Sequence, residues 1–194
     1  MKKFIVLILT YLVFQVNTYA QRDSVLIIGN TFTCMYSETK QQPLWVTYKI
    51  QCTNGKVPRT GMDFYTVPGI ITSDNKDYEA NVWDKGHCAP AADFNCYKET
   101  LQSTFSYLNC VLQHERLNRG VWRLLEVHER NLAVNAQVTI RIQCVYKNSI
   151  VLTTGATVPS GFYKYIYVND KIYETYYFDN AAPMSSDFRK YLIP

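Results

Sequence analysis

The chain has 194 residues and a formal net charge of +4, a length that suits one domain once a targeting segment is set aside. So modest a charge excludes a protein that wraps nucleic acid by sheer basicity, and any polyanion site must come from local arrangement. Lys2 and Lys3 precede an apolar run, Phe4 to Val13, broken only by Thr10 and Tyr11, and a polar stretch ends in Thr18-Tyr19-Ala20. Charged start, apolar middle and small residues before a cut form the pattern of a secretory signal peptide, residues 1–20, cleaved after Ala20. The apolar run, about ten residues, is well short of the roughly 20 that span a bilayer. No later segment is apolar enough, so no stable membrane association is expected after cleavage. Removing residues 1–20 takes away two lysines and no acids, which lowers the charge from +4 to +2.

Residues 21–194 hold no repeat, low-complexity tract or linker and are read as one domain. Enrichment in β-branched and aromatic residues predicts strands at Ser24–Ile28, Leu44–Cys52, Val138–Tyr146, Ser149–Thr153, Phe162–Val168 and Ile172–Phe178. Asn54-Gly55 after the second is a turn signal, since both residues tolerate positive φ. Helices are expected at Ala91–Thr104, at Leu117–Val134 and, briefly, at Ser186–Leu192. Strands, then helices, then strands without regular alternation indicate an α+β fold with a mostly antiparallel sheet. The late tyrosines, Tyr163–Tyr177, suit half-buried strands better than a base-stacking platform. Cys34, Cys52, Cys88, Cys96, Cys110 and Cys144 all follow the signal segment. An even count in an oxidising compartment predicts up to three disulfides, with 15 possible pairings.

Two segments carry chemistry. The first is Trp83-Asp84-Lys85-Gly86-His87-Cys88-Ala89-Pro90-Ala91-Ala92-Asp93. The second runs from Phe105-Ser106-Tyr107-Leu108-Asn109 to Leu117-Asn118-Arg119-Gly120-Val121-Trp122 and Leu125-Glu126. Together they resemble, in order and at close to the same spacing, the Asp-Arg-Gly-His and Leu-Asn-x-Gly-x-Trp-x-x-Leu-Glu signatures of the DNA/RNA non-specific endonuclease family. Leu44–Tyr48 resembles that family's early strand, and Val158-Pro159 with Phe162-Tyr163-Lys164 its later Pro-x-x-Tyr-Lys strand. The likeness implies a ββα-metal (His-Me finger) nuclease fold, with a central sheet flanked by helices. It also implies a secreted, Mg2+-dependent endonuclease with little sequence preference.

The resemblance implies His87 as general base, Asn118 as the direct protein ligand of Mg2+ or another divalent cation such as Mn2+, and Glu126 as holder of its waters. Asn109 would help position the site, and Arg59, Lys85 and Arg130 would bind phosphate. The residues make chemical sense without the family. Histidine has the unperturbed pKa, about 6.5, that suits deprotonation of water. A divalent cation offsets the charge gathering on phosphate. At helical periodicity Leu117, Val121, Leu124, Leu125 and His128 share one stripe, while Asn118, Trp122, Glu126 and Arg130 step along the next. Plainer roles stay open: Asn118 also suits a helix N-cap, and Glu126 with Arg130 also suits a surface ion pair. Asp84 and Asp93 are read as ordering the loop and the following helix, not as metal ligands. His114 and His128 lie outside the matching positions.

The chain departs from the family pattern at Lys85, which replaces an arginine and loses its bidentate geometry toward phosphate. Leu108 replaces a serine, and Leu112-Gln113 the usual Pro-Gln. The partners implied are DNA and RNA, held through the phosphate backbone, and a homodimer is compatible with the sequence. Two other readings remain: a nucleic-acid-binding protein on a nuclease fold that has weakened or lost catalysis, and a phosphodiesterase acting on smaller substrates.

Overall fold

The computed structural model describes residues 23–194, so the expected signal peptide lies outside the described residues. Six strands form one antiparallel sheet: β1 (Val25–Ile28), β2 (Thr33–Ser37), β3 (Gln42–Lys49), β6 (Val138–Val145), β7 (Gly161–Val168) and β8 (Lys171–Asp179). They lie side by side in that order. β4 (Trp83–His87) and β5 (Cys110–His114) pair separately as a small antiparallel ladder. Helices α1 (Lys98–Ser103), α2 (Glu115–Leu117) and α3 (Arg123–Ala133) complete an α+β architecture.

β6 shows why the sheet forms. Val138, Ile140, Ile142 and Cys144 are buried, and the residues between them are half-buried. Because side chains alternate across a strand, this places one apolar row on the core face. The register carries such rows across the sheet: Cys34 lies opposite Val46, Val46 opposite Ile142, Ile142 opposite Lys164, and Lys164 opposite Tyr176. All five are buried, and Lys164 is the only charged member. Trp122 at the head of α3 packs edge-on against Phe162 and Phe178, both at 5.5 Å, and so seats the helix on the sheet. The late tyrosines sit on strands as expected, with Tyr163 packed on Tyr177 at 4.8 Å.

Several expectations change. The helix expected over Ala91–Thr104 is split into a 3-10 turn, Ala91–Asp93, and α1; Asp93 at the end of the turn and Phe94 after it are both fully buried. The single helix expected over Leu117–Val134 is broken by a π-helical turn at Asn118–Trp122, where Gly120 is non-helical (φ −100°, ψ −116°). That turn re-phases the stripes: Trp122 is buried, and Leu124 is exposed. Ser149–Thr153 is no strand but a loop with one bridge, Val151 to Thr157. Asn54-Gly55 makes no hairpin; Gly55 is needed because a Cβ there would meet the Asn95 carbonyl at 2.3 Å. The C-terminal helix is a 3-10 turn, Phe188–Tyr191, capped by Asp187.

Of the expected disulfides the structure contains one, Cys52–Cys96. Cys34, Cys88, Cys110 and Cys144 are free and buried. They occupy inward-facing positions and act as small apolar side chains, the usual behaviour of a buried free cysteine.

Candidate active site

The β4–β5 ladder presents His87 at its end, opposite Cys110. Its strands approach closely: a Cβ on Gly86 would stand 2.5 Å from Gln113 Oε1 and 2.7 Å from Gln113 Cβ. Glycine before the histidine is thus a packing requirement. Beyond His87 the chain is clamped by Asn109, whose side-chain oxygen accepts from Ala89 N–H at 2.7 Å. The Asn109 amide donates to the Ala89 and Thr104 carbonyls, both at 2.9 Å. Asn109 is fully buried, so it positions the histidine loop from beneath.

The His87 imidazole is wedged between Phe64 (4.6 Å between centroids) and Phe105 (4.9 Å, edge-on). Its Nε2 is buried without a partner. Burial, with the Arg59 charge adding to it, pushes the imidazole down to about 3, so the ring is neutral near pH 7.

A cleft of about 510 Å3 opens beside this ring, lined by Arg59, His87, Asn118, Arg119, Arg123, Glu126 and Arg130 with Pro90–Ala92. Five of the seven residues expected at the site come together here. Arg59 reaches it because its loop is stitched to the segment after His87. The Cys52–Cys96 bridge, the Val57 N–H to Asn95 carbonyl bond (3.0 Å) and the Asn95 amide to Gly55 carbonyl bond (3.0 Å) make that seam.

Asn118 is not a helix N-cap; His114 caps α2 instead. The Asn118 amide nitrogen donates to Asp84 Oδ2 at 2.8 Å, leaving the side-chain oxygen free to bind an electrophile. Arg119 grips the same carboxylate through Nε (2.8 Å) and a terminal nitrogen. Burial alone would raise the Asp84 carboxyl, but Arg119 and Asn118 hold it below the usual range. Arg130 pairs with the buried Asp93 at 2.8 Å and not with Glu126, so the simple surface pair is replaced. Burial raises the Glu126 carboxyl, opposed by Lys164 and Arg130.

Lys85, like Asn109, stands outside the cleft lining. Its ammonium donates to Asp63 (2.9 Å) and Asn75 above the Phe64 and Tyr107 rings, away from the cleft lining. In this arrangement the ammonium is paired with an exposed carboxylate. Sequence reasoning also missed the Asp84 clamp, the Phe64 and Phe105 wedge, Arg119, Arg123, and a buried ion pair under α3. There Glu129 meets Lys164 at 2.9 Å with both side chains fully enclosed. Helical phase from Asn118 leads to Trp122, Glu126 and Arg130 and gave no signal for Arg123.

The profile of the family described as DNA/RNA non-specific endonuclease matches residues 12–194. The mitochondrial nuclease EXOG of Danio rerio is 33% identical over 50% of this chain, which spans 30% of that protein. A nuclease of Serratia marcescens is 27% identical over 88% of this chain and 70% of its own length. This chain thus spans under a third of the EXOG relative and most of the bacterial one. A chain in a crystal structure of the EndoG/EndoGI complex superposes with a TM-score of 0.79 at 22% identity, covering 87% of this protein and 80% of its own length. That likeness extends to the fold. With the profile matching nearly the whole chain, the protein belongs to the DNA/RNA non-specific endonuclease family.

Proposed function

We propose that the protein hydrolyses phosphodiester bonds of DNA and RNA within the polymer, with a divalent cation and little sequence preference. One observation carries this reading: separate segments of the chain bring His87, Asn118, Glu126, Arg59 and Arg130 into one cleft.

The donor set fits a hard cation. Among the described residues no group of three His, Cys, Asp or Glu side chains is placed to hold a metal. The cleft instead offers one amide oxygen, on Asn118, and the Glu126 carboxylate. Such a set suits Mg2+, which keeps most of its waters and takes few protein ligands. When bound at Asn118, the cation would supply charge neutralisation on the phosphate and the leaving oxygen.

The remaining work falls to the chain's own residues. Neutral His87, protonated on the enclosed Nε2, presents the Nδ1 lone pair to a water in the cleft and accepts its proton as the water attacks phosphorus. Asp84 fixes the Asn118 amide so that its oxygen stays turned to the cleft. Glu126 orders water from the helix, and Arg59 and Arg130 offset phosphate charge. Contact with the backbone and not with base edges accounts for the lack of sequence preference. The N-terminal signal pattern and the Cys52–Cys96 bridge support action after export, since disulfides persist in oxidising compartments.

The test is incubation of disulfide-intact protein with plasmid and with RNA, with and without Mg2+. Cleavage should require the metal, and His87→Ala should lower kcat by roughly 10²- to 10⁴-fold, the usual worth of general-base catalysis. Intact substrates under every condition, or a fully active variant, would sink the proposal.

A further inference from the structure

The cleft carries more positive charge than this mechanism uses. Arg119 and Arg123 stand one helical turn apart where the π-turn enters α3, and both line the same cleft as His87 and Glu126. Arg123 opens α3, where a cation opposes the macrodipole. Arg119 is compensated by Asp84 and, at 3.6 Å, by Glu115. Arg123 pairs with no carboxylate among the described residues. Its hydrogen bond is a long one, Nε to the Arg119 carbonyl at 3.4 Å. The ground between is open, since a Cβ on Gly120 would meet nothing within 4 Å.

An exposed arginine that weakens its helix, lacks an internal partner and borders the reacting centre breaks a local rule, as residues facing a ligand do. We propose that Arg123 forms a second phosphate subsite. It holds a backbone phosphate neighbouring the one that reacts beside His87, with Arg119, anchored on Asp84, beside it. This deepens the nuclease reading and rests on it. The ligand class is a polynucleotide, because a diester with a single phosphate cannot occupy both positions. Of the two narrower substrate classes, polymer and small phosphodiester, the subsite favours the polymer.

The experiment measures binding of a fluorescently labelled DNA duplex in EDTA, by anisotropy, across a range of salt. Parent protein is compared with Arg123→Gln, Arg123→Glu and a control, Lys171→Gln, at an exposed position outside the cleft. One lost phosphate contact lowers the salt exponent by about 0.9, which is about 15-fold weaker binding at 50 mM salt and about 4-fold at 200 mM. Arg123→Gln should show that loss, Arg123→Glu a larger one, and Lys171→Gln little change. With Mg2+ present, Arg123→Gln should raise KM for plasmid by a larger factor than KM for bis(4-nitrophenyl) phosphate. Equal affinity and equal salt slope for parent and Arg123→Gln overturn the subsite, as does a parent that binds no duplex at any salt. Loss of the nuclease reading itself shows differently, as plasmid left intact by the parent.

Discussion

At the centre of the six-stranded sheet, in β6, each side chain's fate follows from its neighbours two residues away. Along β6 buried and half-buried positions alternate without a break. The β4–β5 ladder and the helix that follows obey no such rule. β4 is half-buried at every position except Gly86, β5 is buried at every position except His114, and the helix is interrupted at Gly120. The first region is built for burial, and its regularity is the direct consequence. The second must hold polar groups at the edge of a cleft, so each is fixed by a particular partner: Asn118 by Asp84, Arg130 by Asp93, the His87 loop by Asn109. The lesson is that the proposed site lies where local periodicity has been given up in favour of specific hydrogen bonds.

The two regions are joined by the Glu129–Lys164 pair, one partner on α3 and the other in the core row of the sheet, with the Lys164 ammonium 4.2 Å from the Trp122 ring centroid. Breaking this joint should give the largest change. Lys164→Met leaves Glu129 buried and uncompensated, and should cost about 3–5 kcal/mol, whereas Lys164→Met with Glu129→Leu should recover most of it. Denaturant unfolding of both variants checks this, and equal stabilities would refute it. Next comes the clamp. Asn109→Leu leaves the Ala89 N–H and two carbonyls without partners and should cost about 3 kcal/mol, since each unsatisfied buried group costs roughly 1–3 kcal/mol. Cleavage should fall with it, because the His87 loop loses its support; a destabilised variant of undiminished kcat would separate clamp from site.

A gentler probe is pH. His87 in the folded chain is pushed down to about 3, below its unfolded value of 6.5, so between those values the unfolded chain takes up a proton that the folded chain refuses. The contribution is complete above the unfolded value and is lost progressively as pH falls toward the folded one. Unfolding midpoints of the parent should therefore drop more steeply below pH 6.5 than those of His87→Phe. Parallel pH profiles would show that the ring is not held neutral. Asp84→Asn should have the smallest effect on stability, because the Arg119 guanidinium it loses is largely exposed. It should still slow cleavage several-fold by loosening Asn118. The comparison between the regions is sharpest here, where stability and activity are expected to part.

Enrichment in β-branched and aromatic residues made β1, β3, β6, β7 and β8 legible, to within a few residues at their ends. β2, with Cys34 and Tyr36 enclosed, was overlooked because Thr33–Ser37 is short and carries little apolar alternation. The ladder strands were missed for a related reason: Trp83-Asp84-Lys85-Gly86-His87 is polar and contains glycine, a poor strand by propensity, and it pairs only because β5 supplies a buried partner. The resemblance of the two motifs to the family signatures pointed to His87, Asn118 and Glu126, and the fold brings these three side chains to one cleft.

Partnerships were beyond reach of spacing. Whether Lys85 faced phosphate or Asp63, or Arg130 met Glu126 or Asp93, depended on residues 22 and 37 positions away. The same holds for the cysteines, where a shared inward face left four thiols in the core and one bridge across the Arg59 loop. The chain's local chemistry thus sets which residues are available to react and which strands form, because helix and strand periods are short-range properties. Which charges remain free to meet a substrate is settled by folding, because an ion pair forms between whichever opposite charges the fold brings within a few ångströms.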